Sequence, residues 1–198
     1  MQEILIATKN KGKVAEFEAI FKDKGMTVSS LLDYPEVPEI EENGETFSEN
    51  ATIKAEAIAQ RFKKPVLADD SGLMIDALDG RPGIFSARYA GLEKNDQKNN
   101  EKVLLELTGV PEEKRTARFH CAIAFARPNE ETIVFEGQCE GYILQAPQGD
   151  GGFGYDPIFY LPNYQKSMAE LTKEEKNKIS HRAKALARLV CEWPKLFT

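Results

Sequence analysis

Histidine and tryptophan are scarce in this 198-residue chain, with two and one respectively, and its three cysteines have no evident partners. Cys121, Cys139 and Cys191 are odd in number, and no two have CxxC spacing. Neither a disulfide framework nor a zinc site is indicated, and buried free thiols in a reducing compartment are expected. Long apolar runs are also missing: none approaches the ~20 residues a membrane helix needs. The apolar part of MQEILIATKN is too short for a signal peptide. A cytoplasmic protein without membrane association is therefore expected. There is no excess of positive charge, since 26 Lys and Arg stand against 32 Asp and Glu, a net of -6. That balance excludes the broad basic face that a nucleic-acid polymer demands. It leaves room for a small anion if a few cations converge on one place with a metal. With no repeat, linker or low-complexity tract, residues 1–198 read as one domain.

The elements that are present alternate in type. Glu3 to Ala7 is an apolar run expected to form a buried strand, ending in the polar loop Thr8-Lys9-Asn10-Lys11-Gly12-Lys13. Val14, Phe17 and Phe21 then have helical spacing. Thr27 to Leu32 reads as a second strand and Pro35 to Glu45 as a loop. Thr46 and Glu49 form a capping-box pattern ahead of the stripe Phe47, Ala51, Ala55, Ile58, Phe62. Pro65 to Ala68 reads as a short strand with Asp69-Asp70-Ser71-Gly72 directly after it. Arg81-Pro82-Gly83 marks a turn, and Asp96 to Leu107 a helix. Ala117 to Phe125 alternates with period two, which predicts a strand with one buried face. Thr132 to Phe135 and Cys139 to Leu144 continue as a meander, then comes the glycine-rich loop Gly149 to Gly154 and a strand over Ile158 to Leu161. Thr172 and Glu175 cap a short helix, and a last helix starts near Ser180. This order predicts a mixed α/β sheet rather than a repeated βαβ array.

Several polar segments have chemistry to offer. Thr8, Asn10 and Lys13 lead from a strand end into a helix start, where backbone N–H groups and the helix dipole favour an anion. The GxxxxGK[ST] pattern is absent, so this segment reads either as a phosphate grip or as a solvated loop. Asn50 and Lys54, four apart, share one helix face. Asp69 and Asp70 after a buried strand are costly unless neutralised. A divalent cation is the usual remedy, because Mg²⁺ takes one or two carboxylates with waters and phosphate oxygens. Glu41 or Glu42 can add a carboxylate; a plain turn is the alternative. Phe153 and Tyr155 offer either a flat face for a base or a cap over the core. Lys176, His181 and Arg182 are hydrogen-bond donors near a helix start. His120 falls on the outward side of its strand and reads as structural or solvated.

These pieces resemble the inosine triphosphate pyrophosphatase-like family. The resemblance rests on ATKNKGK, EENGETFSENATIKA, LADDSGL, GRPGIFSARYAG, GGFGYDPIF and AELTKEEKNKISHR, six segments in the family's order across essentially the whole chain. It implies an elongated mixed β-sheet with flanking helices, two lobes around a central cleft, and a homodimer. It implies Mg²⁺-dependent hydrolysis of ITP, dITP and XTP to the monophosphate and pyrophosphate. By position, Thr8, Lys9, Asn10, Lys11, Gly12, Lys13 and Lys54 would hold the triphosphate. Glu41 and Asp70 would hold the metal, with Asp70 also the proton acceptor. Ser71, Phe153, Gly154, Tyr155, Asp156, Lys176, His181 and Arg182 would contact the nucleotide. The rival expectations are a pyrophosphatase for modified pyrimidine or methylated nucleotides, and a nucleotide sensor that does not cut.

Overall fold

The computed structural model describes residues 3–22 and 25–196. Strand β1 (Glu3–Ile6) runs into helix α1 (Lys11–Lys22), and β2 (Thr27–Ser30) follows. Next come α2 (Phe47–Phe62), β3 (Val66–Ile75), α3 (Asp96–Glu106), β4 (Thr116–Ala126) and β5 (Ile133–Ile143). The chain ends with β6 (Phe159–Leu161), β7 (Lys166–Ser167), α4 (Lys173–Ile179) and α5 (His181–Leu196). Among the described residues seven strands form one mixed sheet, in the order β2-β1-β3-β4-β5-β6-β7. β1 pairs in parallel with β2 and β3, whereas β5, β6 and β7 pair antiparallel.

The chain divides into two compact units. Unit 1 comprises residues 1–70, 121–137 and 181–198; unit 2 comprises residues 71–120 and 138–180. The core of unit 1 gathers Ile4, Ile6 and Leu67 with Phe17 and Phe21 of α1 and Leu186 and Leu189 of α5. The core of unit 2 gathers Leu73, Ile75, Val103, Leu107, Ile158 and Phe159. No helix among the described residues is long and apolar enough to cross a membrane.

Local signals produced most of these elements. Thr46 Oγ1 accepts from Glu49 N–H at 3.1 Å, and Glu49 Oε2 accepts from Thr46 N–H at 3.1 Å, closing the capping box of α2. Thr172 and Glu175 do the same for α4. Four expectations need correction. β2 stops at Ser30, whose hydroxyl accepts from Leu32 N–H and turns residues 31–33 into a 3₁₀ turn. The meander is one strand, β5, without a break between Phe135 and Cys139. β4 has both faces buried from Cys121 to Ala126, because Ala122, Ala124 and Ala126 are covered as well. Finally, β3 does not end before the acidic pair: Asp69 and Asp70 lie inside a ten-residue strand.

In unit 1, β5 passes very close to the start of α5. A Cβ on Gly137 would lie 2.5 Å from Ala185 N and nearer still to the carbonyl of His181. Both obstacles are backbone, so neither can turn aside. Gly137→Ala should therefore cost about 1–3 kcal/mol, the scale of overpacking. The check is a urea titration, in which the midpoint should fall; a midpoint equal to wild type would show that the strand and helix part without strain.

Candidate active site

The position of the acidic pair inside β3 decides what each acid does. Successive side chains of a strand point to opposite faces. Asp69 therefore shares the face of Leu67, which packs with α1 and α5. From that side Lys13 Nζ reaches Asp69 Oδ2 at 3.0 Å. Arg182 Nε and Nη2 donate to the same oxygen at 3.2 and 2.9 Å. The remaining arm of Arg182, Nη1, donates to Glu16. Arg182 is 1% exposed and Asp69 1%. Burial alone would favour a protonated Asp69, but Lys13, Arg182 and Lys54 outweigh it and hold its carboxyl well below the usual carboxylate range. Burial likewise opposes the charge of Arg182, and Asp69 and Glu16 more than restore it.

Asp70 points to the opposite face and is 7% exposed. The cation that acts on it most strongly is Lys54 on α2, which donates to the carbonyl of Asp69 at 2.9 Å and pairs with the carboxylate of Glu42. Burial pushes Asp70 up, and Glu42 and Asp69 push it further; Lys54 and Lys13 oppose without winning. Lys54 is held above its ordinary value, since Glu42, Asp70 and Asp69 outweigh its burial. Two neighbouring aspartates thus have their proton affinities driven apart. One is held as a structural anion and the other has a raised proton affinity, the pattern that separates acid and base roles in active sites.

The segment before α1 is more committed than the sequence suggests. Asn10 Oδ1 accepts from Gly12 N–H at 2.9 Å and Lys13 N–H at 3.1 Å, so two N–H groups of the helix start serve a cap. Thr8 Oγ1 accepts from Asn10 N–H at 3.1 Å. Lys9 Nζ donates to the carbonyls of Pro35 and Val37, at 3.2 and 2.6 Å, and fastens that loop. Lys11 is exposed. Of the two glutamates, Glu42 meets Lys54 while Glu41 is exposed.

In unit 2 a second group forms around Asp156. Its Oδ2 accepts from Phe153 N–H at 2.9 Å and from Lys176 Nζ at 2.7 Å. Lys176 Nζ lies 4.5 Å from the centre of the Phe153 ring. A Cβ on Gly152 (φ 71°) would enter the space of Asp156 Oδ2, so the loop needs glycine there. Tyr155 belongs to the core: its hydroxyl donates to the carbonyl of Ser86 at 2.6 Å, and burial pushes its pKa up. Only Phe153 of the aromatic pair is open to a ligand, being half-buried. Ser71 is also half-buried, and His181 is buried at the start of α5.

Three contributors were not picked out from the sequence. Glu16 follows Lys13 by three residues on α1, so both project toward the same neighbours; helical spacing would have shown it. Asp96 and Asn100, four apart on α3, face Gly154, and their spacing carried the same signal.

A sequence model of the Ham1 family matches residues 4–192. A dITP/XTP pyrophosphatase of Halalkalibacterium halodurans is 72% identical over 189 residues, covering 96% of this chain and 97% of that one. A dITP/XTP pyrophosphatase of Geobacillus kaustophilus is 61% identical, covering 99% and 96%. Among solved structures, a HAM1 protein from Coxiella burnetii superposes with a TM-score of 0.88 at 43% identity, covering 98% of this chain and 100% of that one.

Proposed function

The chain belongs to the Ham1 family, and from that membership we propose that it hydrolyses dITP, ITP and XTP to the monophosphate and pyrophosphate. The observation that carries the reading is the placement of Asp69 and Asp70 at successive positions of β3, Asp69 paired with Lys13 and Arg182 and Asp70 on the other face, with Lys54 reaching the peptide between them and their proton affinities driven apart. Asp70 takes the proton of a water that attacks the α-phosphorus, and pyrophosphate leaves. A carboxyl with raised proton affinity is the better acceptor near neutral pH. Lys13 and Lys54 set positive charge against the phosphates, with Thr8 to Gly12 shaping the same loop. Arg182 works at one remove: its guanidinium binds Asp69 and Glu16, and so fixes the anion on which Lys13 rests.

A divalent cation, assigned as Mg²⁺, fits the donor chemistry. At the Asp70 carboxyl, burial with the Glu42 and Asp69 carboxylates outweighs Lys54 and Lys13, and Glu41 is exposed on its loop while Glu42 is taken by Lys54. No cluster of three acidic, histidine or cysteine side chains forms a cage among the described residues; Mg²⁺ with one or two carboxylates and substrate phosphates requires none. When bound to Asp70 and Glu41, the cation supplies charge stabilisation to the phosphates.

Phe153 stacks on the purine, with Gly154 and Asp156 holding its backbone. Ser71 contacts the nucleotide. Lys176 and His181 donate to the 6-keto oxygen. Adenine carries an amino group at that position, and a donor facing a donor is penalised, which selects against ATP. The chain is further assigned as a cytoplasmic homodimer, which sedimentation of the purified protein would check by mass. The decisive experiment is product analysis with dITP, with and without Mg²⁺. One pyrophosphate per monophosphate is expected, only with the metal. Release of orthophosphate, or equal rates on ATP and dITP, refutes the reading.

A further inference from the structure

The first turn of α3 grips both sides of one residue in the glycine-rich loop. Asp96 Oδ2 accepts from Gly154 N–H at 2.7 Å. Asn100 Nδ2, one turn on, donates to the carbonyl of Gly154 at 3.0 Å. Residues i and i+4 of a helix stand one above the other, so the two side chains hold the two peptide groups flanking Gly154 like a clamp. Gly154 itself is in the left-handed region at φ 62°, and a Cβ there would meet nothing within 4 Å. On the side a Cβ would occupy, no packing holds this residue in place. Hydrogen bonds fix both of its peptide groups, and the adjoining Phe153 shares one of them.

Helix formation does not account for either side chain. The start of α3 is capped by Asn95, whose Oδ1 accepts from Lys98 N–H at 2.9 Å. Asn100 is 8% exposed, yet its Oδ1 has no hydrogen-bond partner. Burying a half-satisfied amide is costly, and a residue kept only for packing would be apolar. The neighbouring Asn99 shows the structural alternative: its amide is used at both ends, accepting from Ala90 N–H at 2.7 Å and donating to the carbonyls of Ser86 and Ala87.

We propose that Asp96 and Asn100 are positioning residues for nucleobase recognition, setting the Phe153 face through Gly154. This rests on the reading that Phe153 stacks on the purine. The two reaction products separate the parts, because deoxyinosine monophosphate carries a base and pyrophosphate does not.

The test is calorimetric binding of both products to Asp96→Ala, Asp96→Asn, Asn100→Ala and Phe153→Ala, and to the Asp96→Ala/Phe153→Ala double variant. Asp96→Ala and Asn100→Ala should each weaken the monophosphate about tenfold, the scale of a lost hydrogen bond. Pyrophosphate binding should stay within about twofold of wild type on the same scale. Asp96→Asn keeps an accepting oxygen and should bind near wild-type strength. The effect of Asp96→Ala should vanish in the Phe153→Ala background. Equal weakening of both products, or an undiminished effect in that background, makes the clamp a general structural feature and overturns the proposal. Wild-type affinity in Asp96→Ala and Asn100→Ala with Phe153→Ala weakened overturns the clamp alone. Unchanged monophosphate binding by Phe153→Ala overturns the stacking reading and removes the clamp's purpose with it.

Discussion

Asp70→Asn should lose about 10²–10⁴-fold in kcat, the usual contribution of a positioned general base, while unfolding no more easily than wild type. The second half of this expectation follows from the sign of the pKa shift. In the folded state the Asp70 carboxyl is raised, first by burial and then by Glu42 and Asp69. A group with raised folded pKa holds more protons folded than unfolded across that interval. Stability therefore falls as pH rises from the ordinary carboxylate range, about 4, through the raised value, and the full cost is present above it. Asparagine has nearly the same shape and no charge to bury, so it removes that cost at neutral pH. Part of the gain is returned because Lys54 loses one of the three anions that hold it charged. Melting without divalent cations should give a midpoint equal to or above wild type, beside a steady-state assay showing the loss of turnover. A variant that turns over at near-normal rate removes Asp70 from the mechanism. One that is inactive but clearly destabilised shows that the carboxylate contributes to the fold instead.

How much of this site was legible beforehand depends on the kind of contact. Helical and strand periodicity placed Val14, Phe17 and Phe21 inward, and the capping boxes at Thr46 and Thr172 placed two helix starts; these are short-range signals written within a few residues. The mixed sheet was readable from the order of elements. What could not be read was which anion each cation meets. The resemblance assigns Lys9 and Lys13 alike to the triphosphate, yet one reaches two backbone carbonyls 26 and 28 residues away and the other a carboxylate on β3. Arg182 had the right chemistry for a base, and only the 113-residue closure onto Asp69 shows its guanidinium occupied. The strand end lies elsewhere for a related reason: polar Asp69, Asp70 and Ser71 resemble a turn, whereas in the folded chain buried Arg182 and partly exposed Lys13 compensate Asp69 within the strand.

That compensation makes Arg182 the residue whose loss should damage the fold most. Its side chain lies between Asp69 and Glu16, and Arg182→Met would leave a buried acid and a partly buried one with one cation fewer. Breaking a buried charge network from one side typically costs about 3–5 kcal/mol, because the stranded partners remain desolvated. For a chain of this size that is a fall of roughly 6–20 °C in Tm. The pH dependence should change with it. The depressed Asp69 carboxyl contributes stability that is present above its unfolded pKa, about 4, and is lost as pH falls through the ordinary range toward the depressed folded value. Removing Arg182 removes one of the cations that depress it, so acid unfolding should begin at higher pH than in wild type. The control is a variant that removes the stranded charges too: Glu16→Gln and Asp69→Asn added to Arg182→Met should recover a large part of the lost stability while Lys13, partly exposed, keeps its hydration. If the triple variant melts no higher than Arg182→Met, the loss comes from packing around the arginine stem rather than from unpaired charge. If Arg182→Met melts like wild type, the Glu16–Arg182–Asp69 chain is not what secures α5 to α1 and β3.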